Sequence, residues 1–359
     1  YVGNNQKISE TFSVEYGLRY SYFWGFGPGT QYTYNDTTAG VRRVPVEEID
    51  FEKGEVISEY GNLEPRFAFK AQLNSNSALK ISYIRMAQYL HLISNTTASN
   101  PLDVWTPSSQ NIRPEIGDQY AIGYFRNIGG QKQFEFSAEA YYRNAKNQID
   151  YIDGADLLIN EFLEGDLLIG KGRAFGLEFY LEKKTGRFNG WLSYTISRSE
   201  LKTDGINKNE WYPARYDQSH NLKMSGFYEL SKRWSVSANF TLLSGTPTTF
   251  PTSRFVIQDI LIPYNANESR NNVRIPAFHR LDISARLEGK SVNKKGKVRK
   301  NTDYWVFGIY NVYARKNPFS IYFSQKDERF PAGEAIESNA TQLSIIGTMI
   351  PSISYNFHF

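Results

Sequence analysis

The sequence predicts an all-β fold, an antiparallel up-and-down transmembrane β-barrel with about twelve strands, and three observations predict it. Segments of about ten residues alternate apolar and polar side chains with the two-residue period of a strand. The connections between them are alternately long and short. Aromatic residues reach 15%, with 25 Tyr and 24 Phe, in a chain whose mean hydropathy is −0.50. Lipid-facing aromatic girdles around a polar lumen account for that pairing. No run approaches the ~18 consecutive apolar residues of a spanning helix, so a membrane is crossed by strands. The net charge of +4 does not point to nucleic acid as a partner. The absence of cysteine rules out disulfides and thiol chemistry and fits passage through an oxidising periplasm. The chain begins Tyr1-Val2-Gly3, with neither initiator Met nor signal segment, and reads as a processed or truncated polypeptide.

The first strand, 12–24, sets Phe12, Val14, Tyr16, Leu18, Tyr20, Tyr22 and Trp24 against Ser13, Glu15, Gly17, Arg19 and Ser21. A long polar loop, roughly 25–59, follows. The next strand sets Phe67, Phe69, Ala71 and Leu73 against Arg66, Ala68, Lys70 and Gln72, then turns tightly at Asn74-Ser75-Asn76-Ser77. Strand 78–92 leads to a long loop, 93–117, and strand 118–127 to a tight turn at Gly129-Gly130. Strand 133–145 enters an acidic loop through about 170, and strand 173–183 turns at Lys184-Thr185-Gly186-Arg187. Strand 190–199 opens into a loop at 201–216, and strand 218–230 turns at Ser231-Lys232-Arg233. Strand 234–243 precedes a proline-bearing loop, 244–277. Strand 279–287 turns at 288–302, strand 303–313 follows, and an excursion, 314–349, delivers the last strand, 351–359.

Long connections fall on one side and short ones on the other, as in outer-membrane barrels. Glu135, Glu139, Glu178 and Glu182 all lie opposite the aromatic face, where a wet lumen tolerates them. A charge at the lipid midplane costs ~2–4 kcal/mol for Arg or Lys. In the last strand, Ile353, Tyr355, Phe357 and Phe359 share the apolar face, and Ser352, Ser354, Asn356 and His358 the polar one.

Several runs resemble the barrel of TonB-dependent outer-membrane receptors. They are Gly172-Arg173-Ala174-Phe175-Gly176-Leu177-Glu178-Phe179, the stretch from Gly190-Trp191-Leu192 to Arg198-Ser199, Ser244-Gly245-Thr246-Pro247, Pro276-Ala277-Phe278-His279-Arg280-Leu281-Asp282, and the stretch from Tyr310-Asn311-Val312 to Asn317-Pro318-Phe319. The terminal Phe359 matches that family's carboxy-terminal aromatic, so Ile353, Tyr355, Phe357 and Phe359 resemble its insertion signal. The resemblance is nearest to the subgroup with an amino-terminal carboxypeptidase-regulatory-like domain. It implies that residues 1–359 are the C-terminal portion of a barrel of ~22 strands, with the plug, its TonB box and the first strands not in this sequence. It also implies an outer-membrane transporter of a scarce nutrient (siderophore, cobalamin, oligosaccharide or peptide), without a cofactor. The implied partners are outer-membrane lipid, TonB acting through the plug, the barrel-insertion machinery during assembly, and a surface lipoprotein or larger outer-membrane complex. The alternative role is a structural or docking subunit of secretion or barrel-insertion machinery.

Trp105, Trp211, Tyr212, Arg215 and Tyr216 fall in or beside the long loops and are candidates to stack on or clamp a ligand; the competing reading is that they pack the loops together. Asp150, Asp153 and Asp156 make a weak calcium candidate, because their spacing is not that of a calcium hand. The basic turn with Lys290, Lys294, Lys295, Lys297, Arg299 and Lys300 reads as solvated, or as a contact for an acidic partner. The sequence holds no nucleophile elbow and no catalytic carboxylate pair, so an enzyme is not expected.

Overall fold

The computed structural model describes residues 1–93, 104–157, 160–257, 260–264, 269–292, 299, 301–325 and 338–358. One antiparallel sheet dominates it, and its thirteen main strands pair in chain order. They are β1 (Val2–Lys7), β2 (Phe12–Phe26), β3 (Val56–Asn74), β4 (Ser77–Gln88), β5 (Glu115–Ile128), β6 (Phe134–Tyr151), β7 (Leu167–Lys183), β8 (Phe188–Lys202), β9 (His220–Glu229), β10 (Trp234–Leu243), β11 (Phe278–Glu288), β12 (Thr302–Tyr310) and β13 (Ile350–His358). The short segment Tyr212–Pro213 pairs onto β8 beside this path.

Each of the twelve expected strands is present, and β1 is additional. Val2–Lys7 carries no apolar alternation and is exposed throughout, so only its ladder to β2 makes it a strand. The expected polar loop 25–59 is also largely β-structure. β2 runs on to Phe26, Gly29–Tyr34 forms a hairpin with Pro45–Phe51, and β3 starts at Val56. Apolar residues here, such as Val46, Ile49, Phe51, Val56 and Ile57, fall at both odd and even positions, so these stretches carry no consistent two-residue period. Similar short hairpins rise from other long connections, joining Leu90–Leu92 to Trp105–Pro107 and Ser320–Gln325 to Ser338–Leu343.

Directly opposed residues of neighbouring strands share a face. Val14, Phe69, Ile81, Ile122, Ala140, Leu177 and Ile196 are opposed in turn across β2 to β8 and form one apolar row. The next row toward the short turns, on the other face, runs Ser13, Lys70, Lys80, Gly123, Glu139, Glu178 and Thr195. The two-faced wall read from the sequence is therefore continuous from strand to strand. Its only core cluster, among the described residues, lies at the long-loop end, where Ile93, Ile112 and Leu167 are buried and Ile149, Tyr151 and Leu163 pack against them.

A bulge in β6 places the chemistry at that end. The register slips between Lys146 and Gln148, and Asn147 takes a left-handed φ of 59°. The extra residue inverts the alternation. Gln148 and Asp150, which would otherwise share the outward face of Tyr142, turn to the inside, where Gln148 lies against Gly172.

Candidate functional site

Two adjoining cavities, of about 590 and 520 Å³, open on the inner face at the long-loop end. Both touch Leu92, Ile149, Leu201 and Tyr216. The larger is lined further by Asp150, Tyr151, Arg215, Gln218, Arg270 and Asn271, and the smaller by Gln119, Tyr141, Arg143 and Gln148. The lining thus combines phenols, amides and guanidinium groups above an apolar floor, the composition of a small-molecule pocket.

Buried polar contacts hold the loops around these cavities. Tyr212 is 1% exposed, and its hydroxyl donates to Asp150 Oδ2 at 2.5 Å and lies 3.1 Å from Thr203 Oγ1. Burial, and then the Asp150 carboxylate, push the Tyr212 phenol far above its ordinary value. Arg270 bonds Asp150 Oδ1 at 3.2 Å, Asp153 Oδ1 at 3.1 Å and the carbonyl of Tyr151 at 2.8 Å. It also lies over the Tyr151 ring, 4.9 Å from the centroid. Asp217 is fully buried, pairs with Arg274 and accepts the Ser199 amide at 2.6 Å. In the single helical turn Leu163–Asp166, Glu164 accepts from Gln31 and Ser109 at 2.7 and 2.6 Å. Asp166, 1% exposed, takes a bidentate pair from Arg42 at 2.7 and 3.0 Å. These contacts span long sequence separations and tie five of the long connections to one another.

The structure separates the sequence candidates. Arg215 and Tyr216 line the cavities, and Tyr216 is 67% exposed. Tyr212 lies beneath them with its hydroxyl committed to Asp150. Trp211 stacks on Arg173, 4.1 Å from guanidinium to ring, and Arg173 shares the outward register of Phe175. Trp105 stands 57% exposed on its hairpin, apart from both linings. Of the calcium candidates Asp150, Asp153 and Asp156, the first two converge on the Arg270 guanidinium, which supplies the positive charge a cation would bring. Among the described residues no three acidic or histidine side chains group as metal ligands. Ile353, Tyr355 and Phe357 lie opposite Phe307, Trp305 and Asp303, while Phe359 lies outside the described residues, as do Lys294, Lys295, Lys297 and Lys300 of the basic turn. Sequence reading misses Arg270 and Asp217, and no local spacing marks them, because their partners come from other loops.

A meander of long strands, apolar on one face and polar on the other, with a walled mouth at its long-loop end, defines the class as an outer-membrane β-barrel receptor. The family model described as TonB dependent receptor-like, beta-barrel, matches residues 1–312, and the chain belongs to that family. No curated protein matches it in sequence. Among solved structures, the ferric-catecholate import receptor Fiu from E. coli K12 aligns at TM-score 0.58 and 14% identity, over 99% of this chain and 43% of that one. The ferric yersiniabactin uptake receptor FyuA from Yersinia pestis aligns at 0.58 and 10%, over 99% and 45%. The FrpB iron transporter from Neisseria meningitidis aligns at 0.57 and 12%, over 99% and 44%. At these identities the likeness shows the fold, and the chain spans less than half the length of each of these structures.

Proposed function

We propose that this chain is the C-terminal portion of the barrel of a TonB-dependent receptor that captures a scarce nutrient at its long-loop mouth and imports it with energy delivered through TonB. The observation that carries this reading is the pair of adjoining cavities under the loops, with Tyr216 exposed in both linings and Arg215 in one. The network around Asp150 and Arg270 supports it, because a ligand is held best by loops that are already ordered. Siderophore, cobalamin, oligosaccharide and peptide all fit a lining of phenols, amides and guanidinium groups. The named iron and siderophore receptors among the structural neighbours put ferric complexes first to be tried. The alternative role, a docking subunit of secretion or insertion machinery, gains no support from the family match.

The test is uptake by cells carrying the full receptor. Tyr216→Ala should lower ligand affinity while the barrel stays folded, and radical footprinting should show ligand protection at Tyr216 and on the loop segment 203–219. Import should stop when TonB is removed. Unchanged uptake with Tyr216→Ala would overturn the mouth reading, and uptake independent of TonB would overturn the energetic one.

A further inference from the structure

The bulge in β6 turns two polar side chains inward, and they meet different fates. Asp150 is spent within the chain, on the Tyr212 hydroxyl at 2.5 Å and on Arg270 at 3.2 Å. Gln148 is not. It lines the smaller mouth cavity, of about 520 Å³, and its Nε2 is buried without a hydrogen-bond partner among the described residues. Buried amides are nearly always satisfied, so a bulge that re-aims one and leaves it unsatisfied points to a partner from outside the chain. The wall is shaped to admit this side chain. A Cβ at Gly172 of β7 would meet Gln148 Cγ at 3.0 Å and Cδ at 3.4 Å, and Leu201 Cδ2 at 3.4 Å, so the bare glycine leaves the carboxamide its place.

The rest of the lining narrows the chemistry of that partner. Each charged side chain there is paired within the chain, Glu115 with Arg143 at 3.2 Å and Arg173 with Glu200 at 2.7 Å. His91 lies 3.0 Å from Ser108, and burial lowers its pKa, which keeps the ring neutral. Gln119, with no side-chain hydrogen bond among the described residues, adds a second free carboxamide. A carboxamide carries two donors and an acceptor and no net charge. It matches a group that both donates and accepts, such as a hydroxyl or an amide. A carboxylate or phosphate draws its strongest bonds from cations, and this cavity has none to spare.

We propose that Gln148 is a specificity-determining residue of the smaller mouth cavity, and that its carboxamide receives an uncharged, hydroxyl- or amide-bearing part of the imported nutrient in preference to an anionic one. The inference rests on the reading of the mouth as the capture site and adds to it a residue and a ligand chemistry. A site built to hydrogen-bond such a group discriminates strongly, because an analogue without it leaves the buried amide unpaired.

Nuclear magnetic resonance of the full receptor, isotope-labelled in its glutamine side-chain amides, tests it. The Gln148 resonance is identified by its loss in Gln148→Met. Glucose, N-methylacetamide and acetate are titrated separately, as probes of a hydroxyl, an amide and an anion. The expected result is a saturable shift of the Gln148 resonance with glucose or N-methylacetamide and none with acetate; which of the two neutral probes acts tells a hydroxyl from an amide source. A shift with acetate as large as with the neutral probes, or no shift with any of the three, overturns the proposal. Stability gives a second reading. Gln148→Met removes an amide that bonds nothing, so the melting temperature of the unliganded receptor should hold or rise. A fall would show that a segment outside residues 1–359 satisfies the amide, and would overturn the proposal as well. If Gln148 fails these tests while Tyr216→Ala still lowers affinity, the capture reading stands without it. If Tyr216→Ala leaves uptake unchanged, both fall.

Discussion

At the scale of single residues, the buried contacts of the loop end decide what each aromatic does. Tyr212 and Tyr216 are four positions apart and look alike in sequence, yet one is sealed against Asp150 and the other faces the mouth. The distinction was not legible because the partner that seals Tyr212 lies 62 residues away, and Arg270 reaches Asp150 across 120. Tyr212→Phe leaves Asp150 Oδ2 without its donor, an unsatisfied buried acceptor costing about 1–3 kcal/mol. Arg270→Met leaves a nearly buried carboxylate with no cation, and removing one partner of a buried pair costs ~3–5 kcal/mol. Hydrogen exchange should therefore accelerate around 150–153 and 203–217 in both variants, more in the second, while the ladder from β9 to β12 stays protected. Equal exchange in variant and parent would remove the Asp150 centre as the anchor of the loops. Tyr32 gives a pH-dependent check. Its hydroxyl donates to Glu161 Oε1 at 2.8 Å, and this bond pushes the phenol up to about 12. A raised pKa means that its contribution is fully present below the ordinary value of 10.0 and is lost as pH rises through about 12. Tyr32 and Tyr212 should both ionise late in an ultraviolet titration, and Glu161→Gln should bring one late phenol down toward 10.0.

At the scale of elements, the strands that read clearly were those burying one face in lipid, because only there does the two-residue period carry a difference in polarity. β13 shows how far this reaches. Tyr355 lies opposite Trp305 with ring centroids 4.8 Å apart, and Ile353 lies opposite Phe307, so both share the apolar register. Asn356 and Ser354 lie opposite Tyr304 and Val306 on the other face. β1 was hidden because Val2–Lys7 alternates no apolar with polar side chains, and the loop hairpins because their strands are too short to display a period. The β6 bulge was hidden as well, since one left-handed Asn147 leaves no pattern, although it turns Asp150 inward. Tyr355→Arg sets a cation against lipid, a cost of ~2–4 kcal/mol at the midplane that falls toward the interfaces. Asn356→Arg places the same cation in the lumen. The heat-modifiable, folded fraction in the outer membrane should fall with the first substitution and hold with the second. An equal fall in both would show that the facing of β13 is misassigned and that the terminal strand acts in insertion by bulk alone.

At the scale of the whole molecule, the number of strands carries a constraint that no single element shows. Neighbours in the main sheet are antiparallel throughout, so in a path of thirteen the first and last strands run the same way. β1 descends to the short turn at 8–11, and β13 likewise ends on the short-turn side. Closing β1 on β13 would create one parallel pair in an otherwise antiparallel barrel, against the even strand number of single-chain bacterial barrels. The two edges are accordingly unpaired with one another, and exposed edges of this length recruit other strands. An odd number of further strands restores antiparallel closure, and nine more would complete the ~22 of the large plugged receptors. Residues 1–359 refolded alone in detergent should therefore yield edge-to-edge oligomers whose gel migration does not change on heating. Joined to the remainder of the receptor, the same residues should give a monomer that migrates faster unheated than boiled. A heat-modifiable monomer from residues 1–359 alone would mean that thirteen strands close on themselves, and the lumen and its mouth cavities would then belong to a much narrower pore.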